Sequence, residues 1–490
     1  MKHMLKYIST ACLMLMLSTS CDNWLDIQPS DRIAEKRVFS TVSGFWGALN
    51  GVYTEMISTS LYGGFLSYEG VELMAQRYNI NSSSQASYYS LASYSYTNDY
   101  AKGRLQSYWE SAYKQILDCN KILENAELYH GEVLNDKQYN IVKAEAMALR
   151  AFLHFDLLRV FGPVPNKLAA SAIPYRTEAT TIASEILTAE KVLELIQKDL
   201  NEAESILLNY DPAVTAGLLM SENDDEFDND GNTYRFRGLR MNYYAVVALR
   251  ARVYLWAGNT TKALEYATKI IDNPNADELY PPVSLTSVMN ANNPDRAFST
   301  EALFSMLNND KNKIFENYFQ GLTASLNFKL TPMAGRIESL FGNDAVTDYR
   351  YKWWQTSNGT GEESLLMNIR LKGITSTSLP YANLMPLIRV SEMYLIAAEC
   401  ATNPDEQFRY LNDHRRRRGN PVEKTADDTD LNAELALEYS REFLCEGQLW
   451  FYYKRTNTPL ILSGSASTNY AMSDARYVPA LPDSELQYRN

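Results

Sequence analysis

The sequence predicts a mostly α-helical chain with a large irregular, loop-rich half. Three observations predict it. First, apolar residues from Glu145 to Arg159 recur at steps of three and four, the period of one helix face, and Gly162-Pro163 then stops the run. Second, Ala248 to Ile271 holds small Ala251, larger Tyr254, a Gly258-Asn259 turn, and small Ala263 and Ala267. These fall where two antiparallel helices pack closely in a tetratricopeptide unit of about 34 residues. One such unit cannot bury its own face, so neighbouring pairs are required, and the expected scaffold is a right-handed superhelix of helix pairs. Third, residues 77–103 and 274–385 lack a sustained helical period and are rich in Asn, Ser, Gly, Pro and aromatics. Long loops of this kind are either functional or disordered, and the aromatic content argues for order.

Taken in order, the chain opens with Lys2 and Lys6 before an apolar run from Ile8 to Leu17, followed by Ser18-Thr19-Ser20-Cys21. A basic start, a short apolar stretch and a small-residue cleavage site read as a secretory signal over residues 1–20. The run is too short for a membrane-spanning helix, which needs roughly 20 apolar residues. Cys21 reads as a lipidation site: its thiol can carry a diacylglycerol and its new N-terminus a further acyl chain, and several chains anchor stably where one binds only marginally. Ser18 stands where bacterial lipoproteins usually carry Leu, and an ordinary cleaved signal is the alternative. Residues 21–40 then read as a lipid-anchored tether. Helical periods follow at about 41–58, 104–128, 136–161, 188–209, 238–257, 260–272, 387–402, 405–418 and 431–455. The segments 136–161 with 188–209, and 387–402 with 405–418, are the expected companions of the 248–271 unit. The expected division is an N-terminal region, 41–300, carrying the tetratricopeptide-like helices, and a C-terminal region, 301–490, packed with it as one globular unit.

Composition narrows the function. A net charge of −13 argues against nucleic acid, whose binding needs a basic footprint. The one basic cluster, Arg415 to Arg418, reads as a solvated helix C-terminus favoured by the dipole. Beyond Cys12 and Cys21 the thiols are Cys119, Cys400 and Cys445, an odd number in helical, mostly apolar contexts. They read as buried and inert, with no disulfide framework. The run Asp224 to Gly231 invites a calcium reading, but placing Gly231 at the EF-hand turn puts Arg237 where a bidentate Glu should close the site. An EF-hand is rejected, which leaves a solvated loop or an irregular cation site. No glycine-rich phosphate loop, zinc spacing or G-x-S-x-G elbow is present, so no metal or cofactor is expected.

The helix at 145–162 carries a run that resembles the SusD/RagB family of Bacteroidetes nutrient-uptake lipoproteins. Glu145, Arg150, Ala151, Phe155, Asp156, Leu157, Phe161, Gly162, Val164 and Pro165 match that family's E-x-x-x-x-R-A-x-x-x-F-D-L-x-x-x-F-G-x-V-P. The likeness continues in order: Trp24-Leu25-Asp26 after the cysteine, Arg389 to Glu399, and Asn412, Arg415, Arg418 and Gly419. Arg441-Glu442-Phe443 with Glu446-Gly447 follow as R-E-F-x-x-E-G, and Pro482, Glu485 and Leu486 close the chain. One departure is clear: Leu449 and Tyr452 stand where members usually carry an Arg and an Asp. Three apart on a helix, the two are neighbours, so their joint loss strands no charge and reads as a packing difference.

The resemblance implies a SusD-like, mostly helical body with four tetratricopeptide-like pairs on one side and the ligand site in the irregular half. It implies a non-catalytic, lipid-anchored protein at the cell surface on the outer membrane. Its partner would be a SusC-like TonB-dependent transporter, to which it delivers oligosaccharide or polysaccharide, or, in a RagB-like branch, peptide. The competing classes are a surface glycosidase built on two carboxylates and a tetratricopeptide scaffold that binds only proteins.

Sugar rings pack their C–H faces on aromatic planes, with polar groups at the edges fixing orientation. The chain has 34 Tyr against 17 Phe, and Tyr88, Tyr89, Tyr94, Tyr96 and Tyr100 fall within thirteen positions. They read either as a wet binding face or as braces of a loop. The order of the family's ligand aromatics along the chain points to Arg77-Tyr78 and Tyr318-Phe319. Tyr96 and the cluster of Tyr349, Trp353 and Trp354 complete the candidates. Tyr78 and Tyr318 together are expected to form a stacking platform, while the alternative for the two tryptophans is core filling.

Overall fold

The computed structural model describes residues 35–180, 182–216, 236–320, 329–356, 366–487 and 489. The signal, Cys21, the Trp24-Leu25-Asp26 start and the Asp224–Gly231 run lie outside the described residues. The labelled helices are α1 Val42–Met56, α2 Gly70–Met74, α3 Ala86–Ala92, α4 Asp99–Leu128, α5 Asp136–Phe161, α6 Ala189–Tyr210 and α7 Tyr243–Trp256. They continue as α8 Thr260–Ile271, α9 Lys311–Tyr318, α10 Arg336–Phe341, α11 Val390–Cys400, α12 Pro404–Arg417, α13 Leu431–Glu442 and α14 Gln448–Arg455. Among the described residues eight short strands pair in twos and antiparallel: β1 Ser171–Pro174 with β2 Ile186–Thr188, β3 Ala302–Leu307 with β6 Leu384–Arg389, β4 Trp354–Thr356 with β5 Leu366–Asn368, and β7 Leu460–Leu462 with β8 Asn469–Ala471.

The helices begin where their caps put them. Asn135 and Gln138 form a reciprocal capping box at the start of α5, satisfying two otherwise unpaired backbone donors. Thr41, Thr188, Asn242 and Asn259 accept backbone N–H groups at the starts of α1, α6, α7 and α8. Helices α5 and α7 are buried almost all round, whereas α6 and α8 bury one face. Among the described residues the pairs α1–α4, α5–α6, α7–α8 and α11–α12 pack on each other in succession, through α4–α5, α6–α7 and α8–α11 contacts. These are the four helix pairs that the resemblance implies. The 248–271 unit and its two expected companions are among them.

The irregular half is an excursion with a defined doorway. Strands β3 and β6 pair from Ala302↔Arg389 to Leu307↔Leu384, so the chain leaves and re-enters the helical array at one ladder. Between these points a second apolar cluster gathers Phe315, Phe319, Leu330 and Trp353 with Tyr68 and Tyr78 from the N-terminal half.

Two sequence expectations are corrected. The 431–455 segment is two helices, because Cys445 and Gly447 both adopt positive φ, 58° and 72°, and break the run. A Cβ at Gly447 would lie 2.1 Å from the Leu66 carbonyl oxygen, and its N–H donates to Glu72 Oε1 at 3.0 Å. The Arg415–Arg418 cluster is not a solvated end: Arg415 and Arg418 are 0% exposed and Arg417 is buried, leaving only Arg416 on the surface.

These arginines belong to a buried ionic lattice. Arg418 donates to Glu301 at 2.7 Å and to Glu442 at 2.7 and 2.8 Å. Arg350 donates to Asp348 at 2.6 Å, Glu438 at 2.7 Å and Glu442 at 3.0 Å. Arg389 joins Glu442 to Glu446, Arg370 also pairs with Glu446, and Arg415 and Arg441 share Asp344 and Glu438. Burial alone would raise the Glu442 carboxyl. The fields of Arg418 and Arg389, with Arg418's hydrogen bonds, override it and hold Glu442 well below the usual carboxylate range. Arg415 and Arg418, with Arg441, Glu442 and Glu446 of the R-E-F-x-x-E-G run, thus build the interior. At the departure from the family pattern, Leu449 and Tyr452 are both buried, and Tyr452 stacks on Tyr439 with ring centroids 4.4 Å apart.

Candidate functional site

The loop 76–100 is held from both sides. Gln76 sits at φ 62°, and its amide donates to the Ala92 carbonyl at 2.6 Å while its Oε1 accepts from Gly464 N at 3.1 Å. Ser465 Oγ receives Ile80 N at 2.8 Å and donates to Ile80 O at 3.2 Å. Asn79 N donates to Thr331 O at 2.7 Å, and Gln85 Nε2 to Lys329 O at 3.2 Å. Three segments distant in sequence, 79–89, 329–331 and the β7–β8 hairpin, therefore enclose one cavity of about 770 Å³.

Among the described residues the cavity is lined mainly by Asn, Gln, Ser and Thr with two aromatic rings, Tyr89 and Tyr470, together with Lys329, Ile80 and Ala466, and by no Asp or Glu. Its volume is in the usual range for small-molecule sites. Both rings are half-buried, so each keeps an open part. Burial, then the neighbouring Tyr89, raises the Tyr470 phenol, which stays protonated near neutral pH. Planar amides and hydroxyls around two rings offer donors, acceptors and C–H-packing faces together.

Helix α3, which supplies Tyr89 to this cavity, supplies Tyr88 to a second tyrosine group. Tyr88 meets Tyr100 edge-on at 6.1 Å, and Tyr318 packs on Tyr68 at 5.1 Å. Beneath them Glu69 accepts from Tyr100 Oη at 2.8 Å and from Arg104 at 2.6 Å. Burial first, then the Glu69 charge, raises the phenols of Tyr88 and Tyr100, so both remain neutral. Tyr88, Tyr100 and Tyr318 are half-buried, with ring surface left open.

The structure sorts the residues singled out in the sequence. Tyr318 keeps part of its ring open beside Tyr88 and Tyr100. Trp354 is half-buried at the start of β4 against the same apolar cluster. Tyr78 is 2% exposed, its hydroxyl donating to Tyr68 O at 2.9 Å, so the expected Tyr78–Tyr318 platform is not formed. Phe319 lies buried between Tyr68 and Tyr78. Trp353 is buried under Arg370, 4.5 Å from the guanidinium, and fills core as the alternative reading had it. Arg77 pairs with Glu72 at 2.8 Å and reaches Ser440, with its side chain only 8% exposed. Tyr96 donates to Arg476 O at 2.6 Å and braces the loop. These four buried or engaged side chains, Arg77, Tyr78, Phe319 and Trp353, present nothing to a ligand in this conformation. Sequence reasoning missed the 463–470 hairpin, although Ser463-Gly464-Ser465-Ala466-Ser467-Thr468-Asn469-Tyr470 is a polar run ending in an aromatic. Burial pushes the thiols of Cys119, Cys400 and Cys445 up to about 12, in keeping with inert cysteines. Among the described residues no group of His, Cys, Asp and Glu has the arrangement of a metal site, and no helix is long and apolar enough to cross a membrane.

Comparison with known proteins bears on the same fold. The family described as "Starch-binding associating with outer membrane" matches residues 24–214, and the one described as "SusD family" matches residues 343–477. SusD-like protein P38 of Formosa agariphila is 23% identical over 94% of this chain and 93% of its own length. A SusD superfamily protein of Bacteroides thetaiotaomicron superposes with a TM-score of 0.66 at 22% identity, covering 91% of this chain and 98% of that one. A SusD-like carbohydrate binding protein of Bacteroides vulgatus gives 0.69 at 18% identity, covering 92% and 96%. The N- and C-terminal matches span three of the four helix pairs and most of the ionic lattice that joins them to the irregular half, and by this agreement the chain belongs to the SusD/RagB family.

Proposed function

We propose that this protein is a non-catalytic surface lipoprotein that binds oligosaccharide or polysaccharide on the face around α3 and hands it to a TonB-dependent transporter of the outer membrane. The observation that carries the reading is the pairing of open tyrosine rings with an amide- and hydroxyl-lined cavity: Tyr88, Tyr100 and Tyr318 on one side of α3, Tyr89 and Tyr470 on the other. Such a surface matches the two chemistries of a sugar, apolar C–H faces and hydroxyl edges. The absence of carboxylates from the cavity lining supports binding without hydrolysis, since glycosidic cleavage needs two placed carboxyl groups. The names of the SusD-like relatives support the same class of ligand.

The test is affinity electrophoresis and calorimetry of the purified protein across neutral and acidic glycans and a set of peptides, repeated with Tyr88→Ala/Tyr318→Ala and with Tyr89→Ala/Tyr470→Ala. Binding to a glycan that falls about tenfold or more in either double variant supports the reading. Binding confined to peptides assigns the protein to the peptide-binding branch, and release of new reducing ends from a glycan overturns the non-catalytic assignment.

A further inference from the structure

A second polar cavity, of about 620 Å³, lies where the stretch after Ala291, helix α9 and residues 372–383 meet. Helix α9 links it to the tyrosine face: Asn312, Phe315 and Glu316 line the cavity, and Tyr318 ends the same helix. Whereas the single lysine lining the first cavity, Lys329, donates its ammonium to the Glu316 and Asn317 carbonyls, this cavity brings two cations together. Arg296 and Lys372 both line it, among Asn292, Asn309, Asn312 and Asn383.

The electrostatics are unbalanced. Arg296 is half-buried, yet its guanidinium donates to a neutral carbonyl, Lys372 O at 3.0 Å. Among the described residues neither Arg296 nor Lys372 forms an ion pair, in a chain where most buried arginines have a carboxylate. The Lys372 ammonium stands 6.0 Å from the Phe315 ring centroid. The cavity's single carboxylate, Glu316, is exposed and already accepts from Asn312 at 2.8 Å. A guanidinium removed from water without a counter-charge is costly, and the cost is recovered when an anion arrives. Burial alone lowers Arg296, to about 10, so it still carries its charge near neutral pH. The flanking amides add neutral donors and acceptors of the kind that ring hydroxyls need.

We propose that this cavity is a subsite for an anionic substituent on a saccharide, a uronate carboxylate or a sulfate ester, held by Arg296 and Lys372. The inference rests on the glycan reading and deepens it to acidic glycans. A carboxylate suits the bidentate fork of Arg296, and a sulfate ester would use the same two cations.

The experiment measures binding of the full chain to a 1,4-linked galacturonate hexamer, to a sulfated galactan oligomer and to an uncharged galactan oligomer. The proteins compared are the parent, Arg296→Met, Arg296→Lys, Lys372→Met and, as a control on the tyrosine face, Tyr88→Ala/Tyr318→Ala. The expected result is that one acidic probe outbinds the uncharged one. Arg296→Met should weaken that binding about tenfold or more, Arg296→Lys should restore part of it, and uncharged glycans should be unaffected. Which acidic probe responds distinguishes carboxylate from sulfate. Arg296→Met and Lys372→Met that bind acidic probes like the parent overturn the proposal. So does uncharged glycan binding that depends on Tyr88 and Tyr318 with no acidic preference, which leaves the glycan reading standing. Failure to bind any saccharide overturns both. Unchanged melting temperatures in the variants show that a lost affinity is not a lost fold.

Discussion

Replacing Glu442 by Gln tests whether the buried lattice holds the two halves together. Glu442 is 0% exposed and serves three guanidiniums at once: Arg350, Arg389 and Arg418. Gln keeps the volume but removes the charge, and it turns an N–H₂ group toward donors that need an acceptor. Breaking a buried pair from one side costs about 3–5 kcal/mol, because the surviving charges are left uncompensated. An unfolding entropy of about 2.1 cal/mol/K per residue, over ~450 residues, comes to about 1 kcal/mol/K. The expected loss is therefore about 3–5 °C in melting temperature at pH 7, read by calorimetry or circular dichroism. The pH dependence is fixed by the sign of the shift. Folding holds the Glu442 carboxyl well below its unfolded value of 4.5, so its contribution is complete above that value and is lost as pH falls through the folded one. The gap between parent and variant should stay constant from pH 7 to 5, then close by about 1.4 kcal/mol per pH unit below that. A shift under about 1 °C at pH 7, or a gap as wide at pH 3 as at pH 7, would refute the reasoning.

Other expectations follow from single residues. Gly447→Ala meets both a positive φ of 72° and a backbone oxygen 2.1 Å from the new Cβ, whereas Gly258→Ala, at φ 74°, has open space around it. The first should cost at least about 2 kcal/mol and the second about 1 kcal/mol, measured by denaturant unfolding. The thiols of Cys119, Cys400 and Cys445, raised to about 12 by burial, should resist iodoacetamide at pH 8 in the native protein and react fully in guanidinium, as intact-mass spectra would show. On the lipid-anchor reading, Cys21→Ala should move the protein from the membrane fraction to the soluble one, and continued sedimentation with membranes would count against it.

The helical half was legible because its signals are local. Three-to-four periodicity and the Gly162-Pro163 stop marked the 136–161 helix, and small residues at Ala251, Ala263 and Ala267 identified a packed pair. The ionic lattice was not legible, because its partners are remote: Arg418 reaches Glu301 across 117 positions and Arg350 reaches Glu442 across 92. Four consecutive arginines therefore looked like a solvated end. The tyrosine-rich stretch was recognised, but exposure is decided by tertiary neighbours. Tyr78 went inward because the Tyr68 carbonyl accepts its hydroxyl, while Tyr88 and Tyr89, on successive positions of α3, kept open surface on its two sides. The 463–470 hairpin escaped notice because its role exists only where it meets residues nearly 400 positions away.

Gln76 ties three chain segments together. One amide group, on a backbone held at φ 62°, fastens the turn after α2 to Ala92 and to Gly464, and Ser465 repeats the fastening at Ile80. The cavity walls are thus cast as a single mould before any guest arrives. A guest orders few protein side chains on entry, so the entropy of association falls mainly on its own torsions. Stiff, repetitive chains lose the least in that exchange. The site should then discriminate by the shape of a sugar chain as much as by its composition, with the protein backbone moving by less than about 1 Å on binding.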